Sequence, residues 1–195
     1  MKVKSLLVAA VLSIATISAN AQAKFIAGDM GLNINLGVGN FDDADFDFDG
    51  NLWAISTSQV SVGASFEYII LDGLLNGKAS VGAGAQGGFG FGHENYWGEK
   101  FNYTRLRFAT RGVFHYAALD MLDTYGGITI GADMNKASYK IDYGTGKDKY
   151  TEKNTCFVVA PFVGARYFFS DGFGVNVELA YDDFAYMGAG LTLKF

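Results

Sequence analysis

The feature that most constrains this chain is an alternation of apolar and polar residues that persists strand after strand. From Ile26 the even positions bring Met30, Leu32, Ile34, Leu36 and Val38, while the odd ones bring Asp29, Gly31, Asn33, Asn35 and Gly37. Side chains of extended chain point alternately to opposite faces, so such a run makes a strand with one apolar and one small, wet face. The pattern returns with Val60, Val62, Phe66, Tyr68 and Ile70 against Gln59, Ser61, Ser65 and Glu67, and with Val81, Ala83, Ala85, Phe89 and Phe91 against Gly82, Gly84, Gln86 and Gly90. A fourth run sets Leu106, Phe108, Phe114 and Tyr116 against Arg105, Arg107, Arg111 and His115, and a fifth sets Ile128, Ile130 and Met134 against Thr129, Asp133 and Asn135. The sixth carries Phe157, Val159, Val163 and Tyr167 on its apolar face, but Phe162 and Phe168 share the other with Gly164 and Arg166. Val175, Val177 and Leu179 against Asn176 and Glu178, then Met187, Leu191, Leu193 and Phe195 against Gly188, Thr192 and Lys194, complete eight strands.

Half the chain is apolar, yet past residue 23 no run approaches the roughly 18 apolar residues that cross a bilayer as a helix. The apolar faces therefore either fill a soluble core or turn outward to lipid from a closed sheet. A soluble barrel such as a lipocalin would expose these Gly, Ser and Asn rows to water, where Lys and Glu are usual. The residue types favour the membrane arrangement: an all-β, eight-stranded, antiparallel up-and-down transmembrane barrel. The connections alternate between short ones (Leu71 to Asn76, Asp120 to Thr124, Ser170 to Gly172) and longer ones (Gly39 to Asn51, His93 to Asn102, Lys136 to Asn154), with only the last, near Asp182 and Asp183, tight. Trp53, Tyr96, Trp97, Tyr103, Tyr139 and Tyr143 flank the long connections, and Tyr68, Tyr116, Tyr125, Tyr167 and Phe169 the short ones, as the aromatic belts of membrane barrels do.

The N-terminus reads as an export signal. Lys2 and Lys4 precede an apolar run from Leu6 to Ile17, and both Ala19-Asn20-Ala21 and Ala21-Gln22-Ala23 fit the small-x-small cleavage rule. Residues 1–21 are thus a signal peptide, cut after 21 or 23, and 22–195 the barrel. Removing Lys2 and Lys4 from 15 basic residues leaves 13 against 20 acids, which argues against a nucleic-acid partner. Cys156 is the sole cysteine, so no internal disulfide staples the fold.

Over essentially all of the mature sequence the chain resembles the small eight-stranded outer-membrane barrels, the OmpA-like, porin-like transmembrane family of Gram-negative bacteria. The terminal strand is the most specific point: Phe195 ends an alternation through Leu193, Leu191, Ala189 and Met187. The resemblance implies that Phe195 belongs to the signal read by the barrel-assembly machinery, that outer-membrane lipid surrounds the chain, and that both ends lie in the periplasm.

Several constellations invite chemistry. Gly82, Gly84 and Gly87 spell a dinucleotide fingerprint, but inside a strand, where inward glycines instead give room to larger side chains. Asp45, Asp47, Asp49 and Gly50 match the start of a calcium loop, although Ser56 stands where a bidentate Glu belongs; calcium is the one cofactor the sequence suggests. His93 and His115 have no Ser or Asp obviously beside them, so a lipid-modifying enzyme ranks below a non-enzymatic role. The best-defined set is the inward charges: Asp29, Glu67, Asp133 and Glu178 against Lys78, Arg105, Arg107, Arg111, Arg166 and Lys194. Hairpin arithmetic predicts Arg111 opposite Asp133, Glu67 opposite Lys78, and Arg166 opposite Asn176 and diagonal to Glu178. Together these read as an outer-membrane barrel with a structural or surface-interaction role and a charge-plugged lumen, with a narrow solute pore as the alternative and no surface partner named.

Overall fold

In a computed structural model the described residues are 23–43, 47–48, 51–52, 55–96, 99–142 and 147–195, without side-chain detail for 42–57, 95–100 and 139–149. Eight antiparallel strands close into a ring: β1 (Met30–Asp43), β2 (Ile55–Gly73), β3 (Ala79–Tyr96), β4 (Glu99–Leu119), β5 (Leu122–Asp142), β6 (Lys147–Ser170), β7 (Phe173–Ala180) and β8 (Met187–Lys194). Each pairs with its sequence neighbour, and β8 returns to β1 with Leu32 opposite Leu193 and Val38 opposite Met187. No described helix is long and apolar enough to cross a membrane. A closed ring leaves no edge at bilayer height, which is how a sheet crosses lipid with its backbone satisfied.

The faces fall as the alternation predicts. Leu36, Val62, Phe108, Ile128, Val163 and Val177 are exposed on the outside, a belt that only lipid can cover. Among the described residues the inside is a column of charges with three small apolar clusters, rather than an apolar core. Phe25, Ile69 and Phe168 lie at the short-turn end, Val113, Tyr125 and Phe162 in the middle, and Phe41, Tyr103 and Ala137 at the long-connection end. Tyr103 and Tyr125 are therefore lumen fillers rather than belt residues, as their odd positions beside Arg105 and Thr129 require, while Tyr68, Tyr116 and Tyr167 face outward. The inward glycines do make room: a Cβ on Gly88 would stand 2.5 Å from the Phe184 ring, and one on Gly31 2.5 Å from the Glu67 carboxylate.

Two expected connections are strand instead. The β3–β4 ladder runs out to Tyr96 opposite Glu99, and the β5–β6 ladder to Asp142 opposite Lys147. These stretches are polar, which reads as loop, but once past the bilayer a hairpin keeps its backbone bonds whatever its side chains. About 9–11 residues suffice to cross. At 21 residues β4 and β5 rise well past that length, and β6 at 24 exceeds it further, whereas β7 and β8 have 8 each. The residues before β1 also differ from expectation. Ile26 to Asp29 form a turn, closed by Asp29 N–H to the Ile26 carbonyl and by Ile26 N–H to the Asp29 carboxylate, both at 3.0 Å.

Candidate functional site: the charged lumen

Four arginines, Arg105, Arg107, Arg111 and Arg166, are all buried in the lumen, stacked in storeys. Antiparallel pairing puts inward residues of neighbouring strands directly opposite one another, so the upper storey starts from the register pair Arg107 and Asp133 and the lowest from Arg166 and Asp123, while the middle one is built across the lumen. Near the long connections Arg107 stands opposite Asp133 and holds it with two bonds, Nε to Oδ1 at 2.6 Å and a terminal nitrogen to Oδ2 at 2.5 Å. The same guanidinium reaches across the lumen to both carboxylate oxygens of Asp182, in the β7–β8 turn. That turn bends into the barrel: Phe184 is buried under Arg107 at 4.6 Å, and Gln59 donates to the Phe184 carbonyl at 2.7 Å. Arg105 donates to Asn135 at 2.8 Å and lies over the Phe41 ring.

In the middle storey Arg111 on β4 crosses to Glu178 on β7 at 2.7 Å. Tyr125 donates its hydroxyl to the same carboxylate oxygen at 3.1 Å, and the guanidinium sits 3.8 Å over Phe162. In the lowest storey Arg166 on β6 donates to Glu67 on β2, four strands away around an eight-strand ring and hence on the opposite wall. Asp123 lies 3.6 Å from Arg166 and bonds His115 Nδ1 at 2.9 Å. The other ring nitrogen of His115 faces Glu67 at 3.8 Å, so this pair serves the network and has no nucleophile on it. Phe25 closes the lumen from below, against His115 at 4.9 Å and Phe168 at 6.0 Å, and Lys194 meets Asp29 at 3.2 Å at the mouth.

Three expected pairings are corrected. Arg111 pairs in register with Thr129, because the β4–β5 turn centres on Asp120–Met121 with an irregularity between Ala117 and Leu119, earlier than the composition suggests. Glu67 stands opposite Gly84, because the chain leaves β2 through left-handed Gly73, Leu75 and Asn76, making a longer turn; Lys78 is exposed beyond it and takes no part in the lumen. Arg166 does stand opposite Asn176, but its carboxylate is Glu67 across the lumen, since Arg111 holds Glu178. Register arithmetic sees only neighbouring strands, whereas here the bore is narrow enough for long side chains to span it.

Reading the sequence alone missed Asp123, Phe25 and Phe184, and it placed Asp182 on the inward face of the seventh strand without giving it a part in the ion pairs. Asp123 shares the inward odd positions of β5, a signal hidden by assigning it to a turn. Nothing in the sequence marks Phe184 as inward except an aromatic residue in an acidic turn. Of the calcium-loop residues, Asp45 and Asp49 lie outside the described residues, and Asp47 is described only as a backbone pair with Leu52. Among the described residues no cluster of three His, Cys or acid side chains could hold a metal. Gly82 and Gly84 continue the β3 ladders on both sides, leaving no phosphate cradle.

Two open spaces lie among the described residues. A cavity of about 540 Å³ lies above Arg107, lined by Asn40, Arg105, Asn135, Asp182 and Tyr186. Below Phe184, between Ser65, Gln86, Arg111 and Glu178, about 30 Å³ remains.

Neither a protein-family model nor a curated protein matches the sequence. Among solved structures, neisserial surface protein A superposes with a TM-score of 0.51 at 12% identity, over 88% of this chain and all of that one. The attachment invasion locus protein Ail of Yersinia pestis gives 0.46 at 14% identity, over 87% of this chain and 100% of its own. The N-terminal β-barrel domain of Pseudomonas aeruginosa OprF gives 0.41 at 13%, over 87% of this chain and 98% of the domain. At such identities the fold is what is shared, and it is the fold of the small eight-stranded outer-membrane β-barrels.

Proposed function

We propose that this protein is an outer-membrane barrel of a Gram-negative cell, exported through the periplasm, that holds its long hairpins outside the cell in a structural or surface-interaction role, conducts no solute and catalyses no reaction. The observation that supports this reading most is the trans-lumen pairing of Arg107 with Asp182, Arg111 with Glu178 and Arg166 with Glu67, one above another. An interior of eight strands is just wide enough for side chains to fill, and open aqueous channels belong to barrels of about 16 strands. Phe184 from above and Phe25 from below add apolar stoppers to the ionic ones. A solute would have to displace several of these contacts at once. The refolded protein in planar bilayers is expected to leave the membrane insulating; a stable, large single-channel conductance would overturn the reading and favour the pore.

A further inference from the structure

The residues before β1 cross the lower mouth of the barrel from one wall to the other. They start from Asp29, whose carbonyl receives the Ile69 N–H of β2, and reach the β4–β5 turn, where the Ala23 N–H meets the Asp120 carbonyl at 2.6 Å. That turn lies about half-way round the ring from β1. The crossing segment belongs to no strand, and its sides alternate: Ala23 and Phe25 are buried, whereas Lys24, Ile26 and Ala27 are exposed. Phe25 packs on Phe168 and His115, with the Arg166 guanidinium 5.3 Å from its ring. Lys194, on the last strand, clasps the segment from the seam. Its ammonium donates to the Lys24 carbonyl, meets the Asp29 carboxylate at 3.2 Å and lies 5.2 Å from the Phe25 ring.

Gly28 supplies a hinge. Its φ of +98° is a conformation that other residues rarely adopt, and a Cβ built there would meet nothing within 4 Å, so glycine serves the backbone alone at this position. The closed position also carries a conflict. In the lowest storey, next to Phe25, Nε and one terminal nitrogen of Arg166, Nε2 of His115 and Oδ1 of Asp123 are buried without a hydrogen-bond partner. Shutting these groups away from solvent opposes closing, and burial of Phe25 and Ala23 offsets it, whereas the strands are held by unbroken ladders with no such opposition. We propose that Ala23–Gly28 is a strap, hinged at Gly28 and latched by Lys194, that opens and closes the lower mouth while the ring of eight strands stays intact. Opening lets solvent reach the lowest storey. The Arg111 and Arg107 storeys stay paired above it, so an open strap wets the base of the lumen without making a pore. Because the latch is on β8, the strap closes only on a completed ring.

The mature barrel is refolded in lipid vesicles, and access to the lowest storey is read from Ser80→Cys in a Cys156→Ser background, since Ser80 is 2% exposed and stands opposite His115. A small charged thiol reagent is expected to label this position without urea. Gly28→Ala removes no contact and strains only the closed backbone, so it is expected to speed labelling about tenfold. Lys194→Gln, which removes the latch, is expected to speed it as well. Ser61→Cys, buried higher in the lumen beside the small space under Phe184, is expected to stay unlabelled in every background. Amide exchange of the wild type gives a second reading: Ala23 is expected to exchange faster than Leu32 of β1, at a rate flat in urea where that of Leu32 climbs. Labelling of Ser80→Cys only where urea unfolds the ring, or Ala23 exchange that follows Leu32 through the urea series, overturns the proposal and makes the segment a fixed part of the barrel. Labelling unchanged by Gly28→Ala and Lys194→Gln removes the hinge and the latch, and Ser61→Cys labelled as fast as Ser80→Cys would show that the whole lumen opens rather than the strap.

Discussion

Removing Glu178 tests the arrangement of the lumen most directly. Its carboxylate receives Arg111 at 2.7 Å and the Tyr125 hydroxyl at 3.1 Å, and the Arg111 side chain is only 3% exposed. Glu178→Ala therefore strands a buried guanidinium over the Phe162 ring, which costs about 3–5 kcal/mol when one partner of a buried pair is lost. The orphaned Tyr125 hydroxyl adds about 1 kcal/mol. Arg111→Ala strands Glu178 in turn, at a similar loss. With both removed neither charge is left alone, so the double variant is expected to lose about 2–3 kcal/mol less than the sum of the single losses, at the upper end of measured couplings. Urea unfolding in lipid vesicles of wild type, both single variants and the double variant gives the cycle. Arg111→Ala with Asp133→Ala serves as the comparison, because those residues meet neither in register nor across the lumen; its losses are expected to add within about 0.5 kcal/mol. Additive losses for Arg111 and Glu178, or strong coupling between Arg111 and Asp133, would refute the register of β4 and β5 and the storeys built on it.

Protease added to whole cells is expected to cut between Asp142 and Lys147 or within Gly39 to Asn51, and to spare the Leu74–Lys78 turn; cutting at the short turn would mean an inverted barrel. Phe195 exchanges two backbone bonds with Met30, at 2.7 and 3.0 Å, so its deletion unlatches the seam as well as removing the terminal aromatic. Outer-membrane yield of that variant is expected to fall, with misfolded chain in the periplasm, and normal surface levels would contradict the role given to Phe195. N-terminal sequencing of exported protein is expected to begin at Gln22, because Ala23 is fully buried beside Phe25 and its N–H bonds Asp120 at 2.6 Å; a start at Lys24 would show that this contact is dispensable.

What was legible in the sequence is what period two encodes. The side of the sheet on which Ile34, Phe66, Phe108 or Val177 lies follows from parity alone, and so does the burial of Asn33, Glu67, Arg107 and Asn176. Register was legible where the turn is short, as at Asp171–Gly172, which puts Arg166 opposite Asn176 although an irregularity falls between Phe168 and Ser170. Where a bulge intervenes after Ala117, or Gly73 opens a left-handed excursion, every partner moves, by four residues for Arg111 and by six for Glu67. The partners across the bore were not legible at all. Glu67 with Arg166 is a matter of barrel diameter and stagger, and Phe184 faces inward because Gly88 and the Gln59 side chain accept it there.

The trans-lumen pairs also govern the order of events in biogenesis. Glu67 and Arg166 are 99 residues apart in the chain, and Asn35 and Asn176, which bond at 2.8 Å, are 141 apart. In a nascent sheet of the first five strands Glu67 waits for Arg166 on β6 and Arg111 for Glu178 on β7, while Arg107 holds Asp133 and waits only for Asp182 in the turn after β7. An open curl of strands in lipid would present Glu67 and Arg111 to hydrocarbon without their arginine and carboxylate partners, so while the seam is open the wet face has to stay hydrated. Such dependence on distant segments slows folding, because loop closure precedes any reward. Entry into the bilayer and closure of the ring are thus expected to be one step, taken once β8 has met β1.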